Sequence, residues 1–502
     1  MGKITEKCGI VGVFTPDFVN QLPMALTAAS GVQHRGMQGA GIVLKPKTGI
    51  VKYTDKGLLQ DVFTPKIIKK LTQKSKWTLV HCRYGTSGDY ASENLQPITI
   101  GKANDTLAII HNGEFAGVEK LKKRLGGKLP VGASDTYLFA KLLSQTPGVS
   151  WDEKIVSACE QMTGAFSLIM GVGESLYAIR DPWGIRPLAI GQLPGGGWLV
   201  ASETHAFDKV HVRVKREINK GEILKIDSRG LTRLKKGTGG KGNFCDFEWA
   251  YFSRPNSLFP TYQTDDEGTR PEKWLSVTEF RERCGGTIAH EHPIKNATFV
   301  VGVPDSGIHI AIGFARALGL SYRQVIIRDH FDRNGNQRLF MKDDDLTRIK
   351  SKVLGKISFV PDPRIWKNAI VVLGDDSIVR GNVAQQVTKA VFAQGAKEVH
   401  WIVGFPPVMH PCHLGVSMRT QAELIAPQFT SNPVSIARAI GATSVNYISP
   451  KGFIQAKVGS KKILHPKDEM DIFLVNGGCG GCLTGRYPVA KDGKINALST
   501  LS

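Results

Sequence analysis

The sequence predicts an α+β domain followed by an α/β domain built on a parallel sheet. Three observations carry that expectation. The first half holds many short apolar runs with few helical segments between them. The second half alternates apolar runs with helical ones. A glycine- and lysine-rich stretch, KKGTGGKGN (235–243), lies between the two. Strands in series with few helices read as α+β, and strand–helix alternation reads as a parallel sheet covered by helices.

In the first half, CGIVGVF, TLVHCRYGT, TLAIIHNGE, FSLIMGVG, SLYAIRD and GWLVASE are apolar runs bounded by turn residues, hence expected strands. ASDTYLFAKLLSQ reads as a helix, with Ser134 or Asp135 as its N-cap and Leu138, Leu142 and Leu143 on one side. In the second half, NATFVVGVP, NAIVVLGDD and VHWIVGFPP are the expected strands. DSGIHIAIGFARALGL and VAQQVTKAVFAQGA are the expected helices between them, the latter with Val383, Val387 and Val391 four apart and Gly395 as its stop.

At 502 residues the chain is long enough for two or three domains, each with its own core. Apolar residues make up 41%, as in a globular protein, and no run approaches the length of a bilayer-spanning helix. The leader MGKITEK has no apolar segment and no arginine, so it is neither a secretory signal nor a transit peptide. A cytoplasmic location is expected, without a membrane partner. The formal charge of +21 would attract phosphorylated metabolites or nucleotides. The basic residues are scattered, and no zinc-finger or RNA-recognition pattern occurs, which disfavours nucleic acid as a partner. Eight cysteines in such a chain are thiols, metal ligands or a nucleophile rather than a disulfide framework.

IVVLGDDSIVRGN is the most informative stretch of the second half. A buried strand ends in Asp375 and Asp376, and a short loop, Ser377 to Gly381, leads into a helix. Ligands of open parallel sheets bind beyond the carboxyl ends of the strands. The loop N–H groups and the helix start suit a phosphate, and the carboxylates suit ribose hydroxyls or a hard cation. A sugar phosphate satisfies both ends at once. The bland alternative is an acid pair capping a helix.

DDSIVRG, preceded by VVGVPDSG and accompanied by FEWAYFSRPNS, resembles the glutamine phosphoribosylpyrophosphate amidotransferases. The likeness runs from Cys8 to about CGGCLTGRYP. It implies a type I phosphoribosyltransferase domain over residues 241–502. In that family the paired acids, here Asp375 and Asp376, meet the ribose hydroxyls. The following loop, here Ser377, Ile378, Val379, Arg380 and Gly381, meets the 5′-phosphate. Ser306, the serine of VPDSG, helps the acids hold Mg2+. NQRLFMK resembles a loop that closes over pyrophosphate, with Arg338 and Lys356 as candidates. Two threonines usually follow this motif, and their hydroxyls hold the phosphate; here Asn382 and Val383 stand instead. Val383 has no hydrogen-bonding side chain, and a lost bond to a charged group costs about 1.5–3 kcal/mol.

The same likeness gives the first half a role. It implies a class II glutamine amidotransferase domain over residues 8–240, an α+β N-terminal-nucleophile hydrolase fold of sandwiched β-sheets with helices. Alone, Cys8 before an apolar run is a small hydrophobe. In the family a mature N-terminal CGIVG carries the nucleophile, so residues 1–7 are expected to be a propeptide cut before Cys8. A freed α-amine, with a pKa of about 8, could then act as the thiol's own base. HCRYGTSG resembles the family's H-x-R-Y-x-T, implying that Arg83 binds the glutamine α-carboxylate. HNGEF implies an oxyanion hole from the Asn112 side chain and the Gly113 N–H. SDTYLF implies that Asp135 holds the substrate ammonium. VQHRGMQGAGI also resembles a family stretch, but departs at Met37 and Gly39 from the usual Gln and Ser.

CGGC, with Cys479 and Cys482, has a spacing that suits zinc, an iron–sulfur cluster or a redox pair. In one branch of the family four cysteines hold a [4Fe–4S] cluster. Cys245, Cys412, Cys479 and Cys482 fill those positions, and Cys82, Cys159 and Cys284 match none. The resemblance thus implies Mg2+ and a [4Fe–4S] cluster as cofactors. It implies glutamine and phosphoribosyl pyrophosphate as substrates and 5-phosphoribosylamine as product, in the first step of purine synthesis. Inhibition by purine nucleotides and a dimeric or tetrameric assembly are further family properties. Two other readings stay open at this stage: a glutaminase with altered phosphoribosyl transfer, given Asn382 and Val383, and a non-catalytic nucleotide-binding regulator.

Overall fold

Two antiparallel sheets face one another in the first half of the computed structural model, which describes residues 8–84, 94–101, 105–126, 129–130, 132–238, 242–260, 274–328, 357–459 and 463–496. One sheet runs, in spatial order, Val214–Glu217, Ala189–Gln192, Trp198–Ala201, Gly9–Val19, Ser75–Arg83, Gly39–Leu44 and Val51–Lys56. The other runs Gly230–Lys235, Ile223–Asp227, Ser175–Arg180, Gly164–Val172, Leu107–Phe115 and Ile98–Ile100. Ile10, Phe14, Trp77 and Leu79 of the first sheet meet Ile110, Ile169 and Ala178 of the second in a shared core. Helices cover both outer faces: Leu22–Ser30 on the first sheet, Asp135–Gln145 and Trp151–Glu160 on the second. The result is a four-layer helix–sheet–sheet–helix stack. Central strands such as Ser75–Arg83 and Gly164–Val172 are buried at every residue, so they read in sequence as continuous apolar runs rather than alternating ones.

The second half carries the expected parallel sheet, ordered Phe299–Gly302, Ile370–Asp375, Glu398–Val403 and Ser444–Tyr447. Alternation along the strands divides two cores. Val300, Val372 and Ile402 pack with the helices Val277–Glu291 and Gly307–Leu318. Phe299, Val301, Leu373 and Val403 pack under Asn382–Ala393 and Pro433–Ile440. The fourth strand was not among the expected ones, because SVNY is short and half polar.

One core crosses the seam between the halves. Trp183 and Ile185 of the first half belong to the cluster that contains Cys245, Phe247 and Phe405. Backbone bonds reinforce it: Asn243 N–H to Trp183 O at 2.7 Å and Cys245 N–H to Ile185 O at 3.1 Å. A buried charge network crosses the same seam. The Arg35 guanidinium engages both Glu203 and Glu248, and Arg186 donates to Glu248 at 3.0 Å. Ser257 donates to Glu203 at 2.6 Å. Each buried charge therefore has an opposite partner, as desolvation requires. Among the described residues no helix is long and apolar enough to cross a membrane.

Candidate active site

The first pocket opens where strand ends of both sheets converge. Its lining includes Cys8, Arg83, Gly113 and Asp135. Cys8 precedes the strand Gly9–Val19, and Arg83 ends the strand Ser75–Arg83 that pairs with it. Asn112 and Gly113 lie near the end of Leu107–Phe115. Gly113 has φ +147°, and a Cβ there would sit 1.9 Å from the Ala165 carbonyl oxygen, so this strand position requires glycine. Asn112 is fully buried beside it.

Asp135 opens the helix Asp135–Gln145, whose N-cap is Ser134, accepting the Tyr137 N–H at 3.2 Å. The Asp135 carboxylate accepts N–H bonds from Thr136 at 2.8 Å and from Phe115 at 3.1 Å. Three further lining residues, Gln96, His111 and Thr136, form a buried brace that the sequence reading missed. Gln96 accepts the His111 backbone N–H at 2.6 Å, its amide donates to Thr136 Oγ1 at 3.2 Å, and His111 Nδ1 lies 3.0 Å from the same hydroxyl. The one local signal was that His111 belongs to HNGEF. Burial, then the Arg83 charge, pushes the imidazole of His81 down to about 3, so it stays neutral. Burial first, with Cys8 nearby, pushes the Cys82 thiol far up. Cys82 is thus an inert packing group, whereas Cys8 lines the pocket.

A second constellation lies at the carboxyl end of the parallel sheet. Asp375 closes its strand, and Asp376 follows. Ser306, N-cap of the helix Gly307–Leu318, hydrogen-bonds to Asp376, and Ser377 donates to the other Asp376 oxygen at 2.6 Å. A Cβ on Gly307 would lie 2.1 Å from the Gly374 carbonyl oxygen, so backbone touches backbone where the helix begins. Ile378 and Val379 are buried, so the loop faces outward mainly with its backbone. Gly381, at φ +77°, caps the helix that begins at Asn382. Arg380 reaches away from the acids: its Nε donates to Glu423 at 2.8 Å and its Nη2 to the Ser417 carbonyl at 3.3 Å. Burial alone would raise the Glu423 carboxyl. Bonds from Thr420 N–H, Arg380 and Arg419 N–H outweigh it and hold the group below the usual range.

Cys245, Cys412, Cys479 and Cys482 line a single apolar pocket at the seam, with Ile185, Arg186, Leu414, Val416 and Tyr487. Cys412 Sγ accepts the N–H groups of Leu414 at 3.3 Å and Val416 at 3.5 Å. Burial, then the Arg186 charge acting against it, leaves the Cys245 thiol pushed up to about 12. Burial and the neighbouring thiols push Cys479 and Cys482 well up. Among the described residues no group of three or more His, Cys, Asp or Glu is placed to hold a metal ion. Residues 1–7, Arg338 and Lys356 lie outside the described residues.

Residues 81–209 match the family model of a glutamine amidotransferase domain. The amidophosphoribosyltransferase of Rattus norvegicus is 33% identical, over 97% of this chain and 98% of its own length. That of Methanothermobacter thermautotrophicus is also 33% identical, over 99% and 98%. Among solved structures, the glutamine phosphoribosylpyrophosphate amidotransferase from B. subtilis, complexed with ADP and GMP, superposes with a TM-score of 0.81. It is 30% identical, over 98% of this chain and all of that one.

Proposed function

This chain belongs to the amidophosphoribosyltransferases, the glutamine phosphoribosylpyrophosphate amidotransferases of purine biosynthesis, and from that premise we propose how its own residues divide the work. Removal of residues 1–7 makes Cys8 the first residue of the working chain. Its α-amine, with a pKa of about 8, takes the thiol proton. The sulfur attacks the carboxamide carbon of glutamine, held by Arg83 at its α-carboxylate and Asp135 at its α-ammonium. The Asn112 side chain and the Gly113 N–H stabilise the oxyanion. The amine returns the proton to departing ammonia, and water cleaves the thioester to glutamate, restoring Cys8.

In the second half, Asp375 and Asp376 accept the ribose hydroxyls, and the backbone of Ser377 to Gly381 cradles the 5′-phosphate. Ammonia forms the new C–N bond at the anomeric carbon as pyrophosphate leaves. Ser306, Asp375 and Asp376 offer hard oxygen donors that suit Mg2+, a cation commonly bound by one or two carboxylates together with substrate phosphates. When bound, it supplies neutralisation of the pyrophosphate charge. Arg338 and Lys356, outside the described residues, are proposed as contacts to pyrophosphate.

A [4Fe–4S] cluster rather than zinc is proposed for the seam pocket, because the four cysteines that line it fill the positions held by the cluster-bearing branch of the family. When bound at Cys245, Cys412, Cys479 and Cys482, the cluster supplies a cross-link between segments distant in the chain. Purine nucleotides are proposed as inhibitors, in keeping with the ADP and GMP of the B. subtilis relative. The domain limits that go with this reading are 8–240 and 241–502.

The observation that carries the reading is the convergence of Cys8, Arg83, Gly113 and Asp135 on one pocket. The test combines intact mass with two assays. Active protein should begin at Cys8. Cys8→Ala should abolish glutamine-dependent phosphoribosylamine formation while ammonium salts still support it. An active preparation that keeps all seven leader residues, or a Cys8→Ala protein that still releases glutamate, would overturn it.

A further inference from the structure

Two groups that neither half-reaction uses form a bridge between the sites. Glu114 directly follows Gly113, and its Oε1 accepts from Arg419 Nη1 at 3.2 Å, across 305 positions of sequence. The backbone N–H of Arg419 donates to Glu423 Oε1 at 2.5 Å, and that of Thr420 to the same oxygen at 3.0 Å. The other Glu423 oxygen holds Arg380, which precedes the capping Gly381 of the phosphate loop. We propose that Arg419 and Glu114 are positioning residues, tying the Asn112–Gly113 strand segment of one half to the Ser377–Gly381 loop of the other through Glu423 and Arg380. The inference rests on the site assignments proposed above.

Rigidity at both ends makes the bridge effective. Gly113 and Glu114 sit in the ladder opposite Phe166 and Ala165, so the backbone on both sides of the peptide joining them is held by the neighbouring strand. A displacement of Glu114 therefore moves the Gly113 N–H rather than being absorbed. At the other end Val379 is buried, and its carbonyl accepts the Ile425 N–H at 2.8 Å. Loop and Glu423 segment thus move together. Glu114 and Glu423 side chains are 15% and 12% exposed and Arg419 is 40% exposed, so the pair is a moderate rather than a dominant tie. Neither end needs it to fold: the Glu114 backbone is held in its ladder opposite Ala165, and Glu423 retains Arg380. Coupling of this kind is reciprocal, so each site should sense occupancy of the other.

The test measures three rates on the full-length protein: glutamate release without phosphoribosyl pyrophosphate, glutamate release with it, and ammonium-dependent phosphoribosylamine formation. Arg419→Ala and Glu114→Gln should each lower the stimulation of glutamate release by about three- to five-fold, the scale of a partly exposed ion pair. The ammonium-dependent rate should stay at the wild-type level. The charge-exchanged double variant Arg419→Glu/Glu114→Arg should recover part of the stimulation. Unchanged stimulation in both single variants would overturn the proposal. So would a parallel fall of the ammonium-dependent and glutamine-dependent rates, the mark of a plain structural strut. A wild-type protein that released no glutamate would instead refute the site assignments.

Discussion

The Asp135 carboxylate accepts the Phe115 backbone N–H at 3.1 Å, fastening the start of one helix to the strand that carries Asn112 and Gly113. The Phe115 ring strengthens the joint, packing 4.9 Å from Phe139 of that helix and 5.0 Å from Phe166 of the neighbouring strand. The carboxylate proposed to hold the substrate ammonium and the proposed oxyanion hole are thus one rigid body.

Asp135→Asn separates the two tasks of that carboxylate. The amide oxygen still accepts the Phe115 N–H, but the charge proposed to face the substrate ammonium is gone. The KM for glutamine should rise by about tenfold or more, the loss expected for a hydrogen bond to a charged group. Ammonium-dependent activity should not change. Steady-state kinetics with both nitrogen sources check this.

Gly113→Ala places a methyl group 1.9 Å from the Ala165 oxygen, at a φ that alanine rarely adopts. The strand must shift at this point, taking the proposed oxyanion donor off its target. The glutamine-dependent kcat should fall by about 10²–10³-fold, as for loss of one oxyanion donor. An equal fall in the ammonium-dependent rate would show damage to the whole fold instead.

Glu203 governs part of the acid sensitivity. Burial would raise its carboxyl, but the charges of His34 and Arg35 and bonds from His34 and Ser257 outweigh burial and hold it far below the usual range. A carboxylate held down in the folded state stabilises it above the unfolded pKa of about 4.3, and the contribution is lost as pH falls further. Glu203→Gln should lower stability at neutral pH by about 3–5 kcal/mol, the cost of breaking a buried pair. Its stability should also decline less steeply between about pH 5 and pH 2. Urea midpoints across that range measure both effects.

Val383→Thr, alone or with Asn382→Thr, restores hydroxyls at the start of the helix Asn382–Ala393. Val383 is half-buried against the sheet core, so the similarly shaped threonine fits there. The KM for phosphoribosyl pyrophosphate should drop by up to about tenfold if the hydroxyl reaches the phosphate. An unchanged KM in the double variant would mean that the backbone donors of the loop already satisfy it.

Cys412→Ser removes one of the four seam sulfurs, the acceptor of two backbone N–H groups. Wild-type protein prepared without oxygen should carry about four iron and four sulfide per chain, and the variant far less. Zinc in place of iron in the wild type would reverse the assignment of the pocket.

By itself the sequence determined what local order can encode. The apolar runs became the central strands, Ser134, one of the two expected caps, caps its helix, and the short motifs around Cys8, Arg83, Asn112–Gly113 and Asp375–Asp376 hold the residues of the proposed sites side by side. Tertiary structure alone decided which distant groups meet. Gln96 bracing His111 and Thr136, Arg35 joining Glu203 to Glu248, and Arg419 reaching Glu114 are contacts across tens to hundreds of positions. That the Arg380 side chain, within the loop read from its motif, pairs with Glu423 is likewise a tertiary contact. Periodicity and turn chemistry act over a few residues. Pairing of buried charges and polar groups is imposed by desolvation once the layers pack, and no local pattern records which partner the fold will bring.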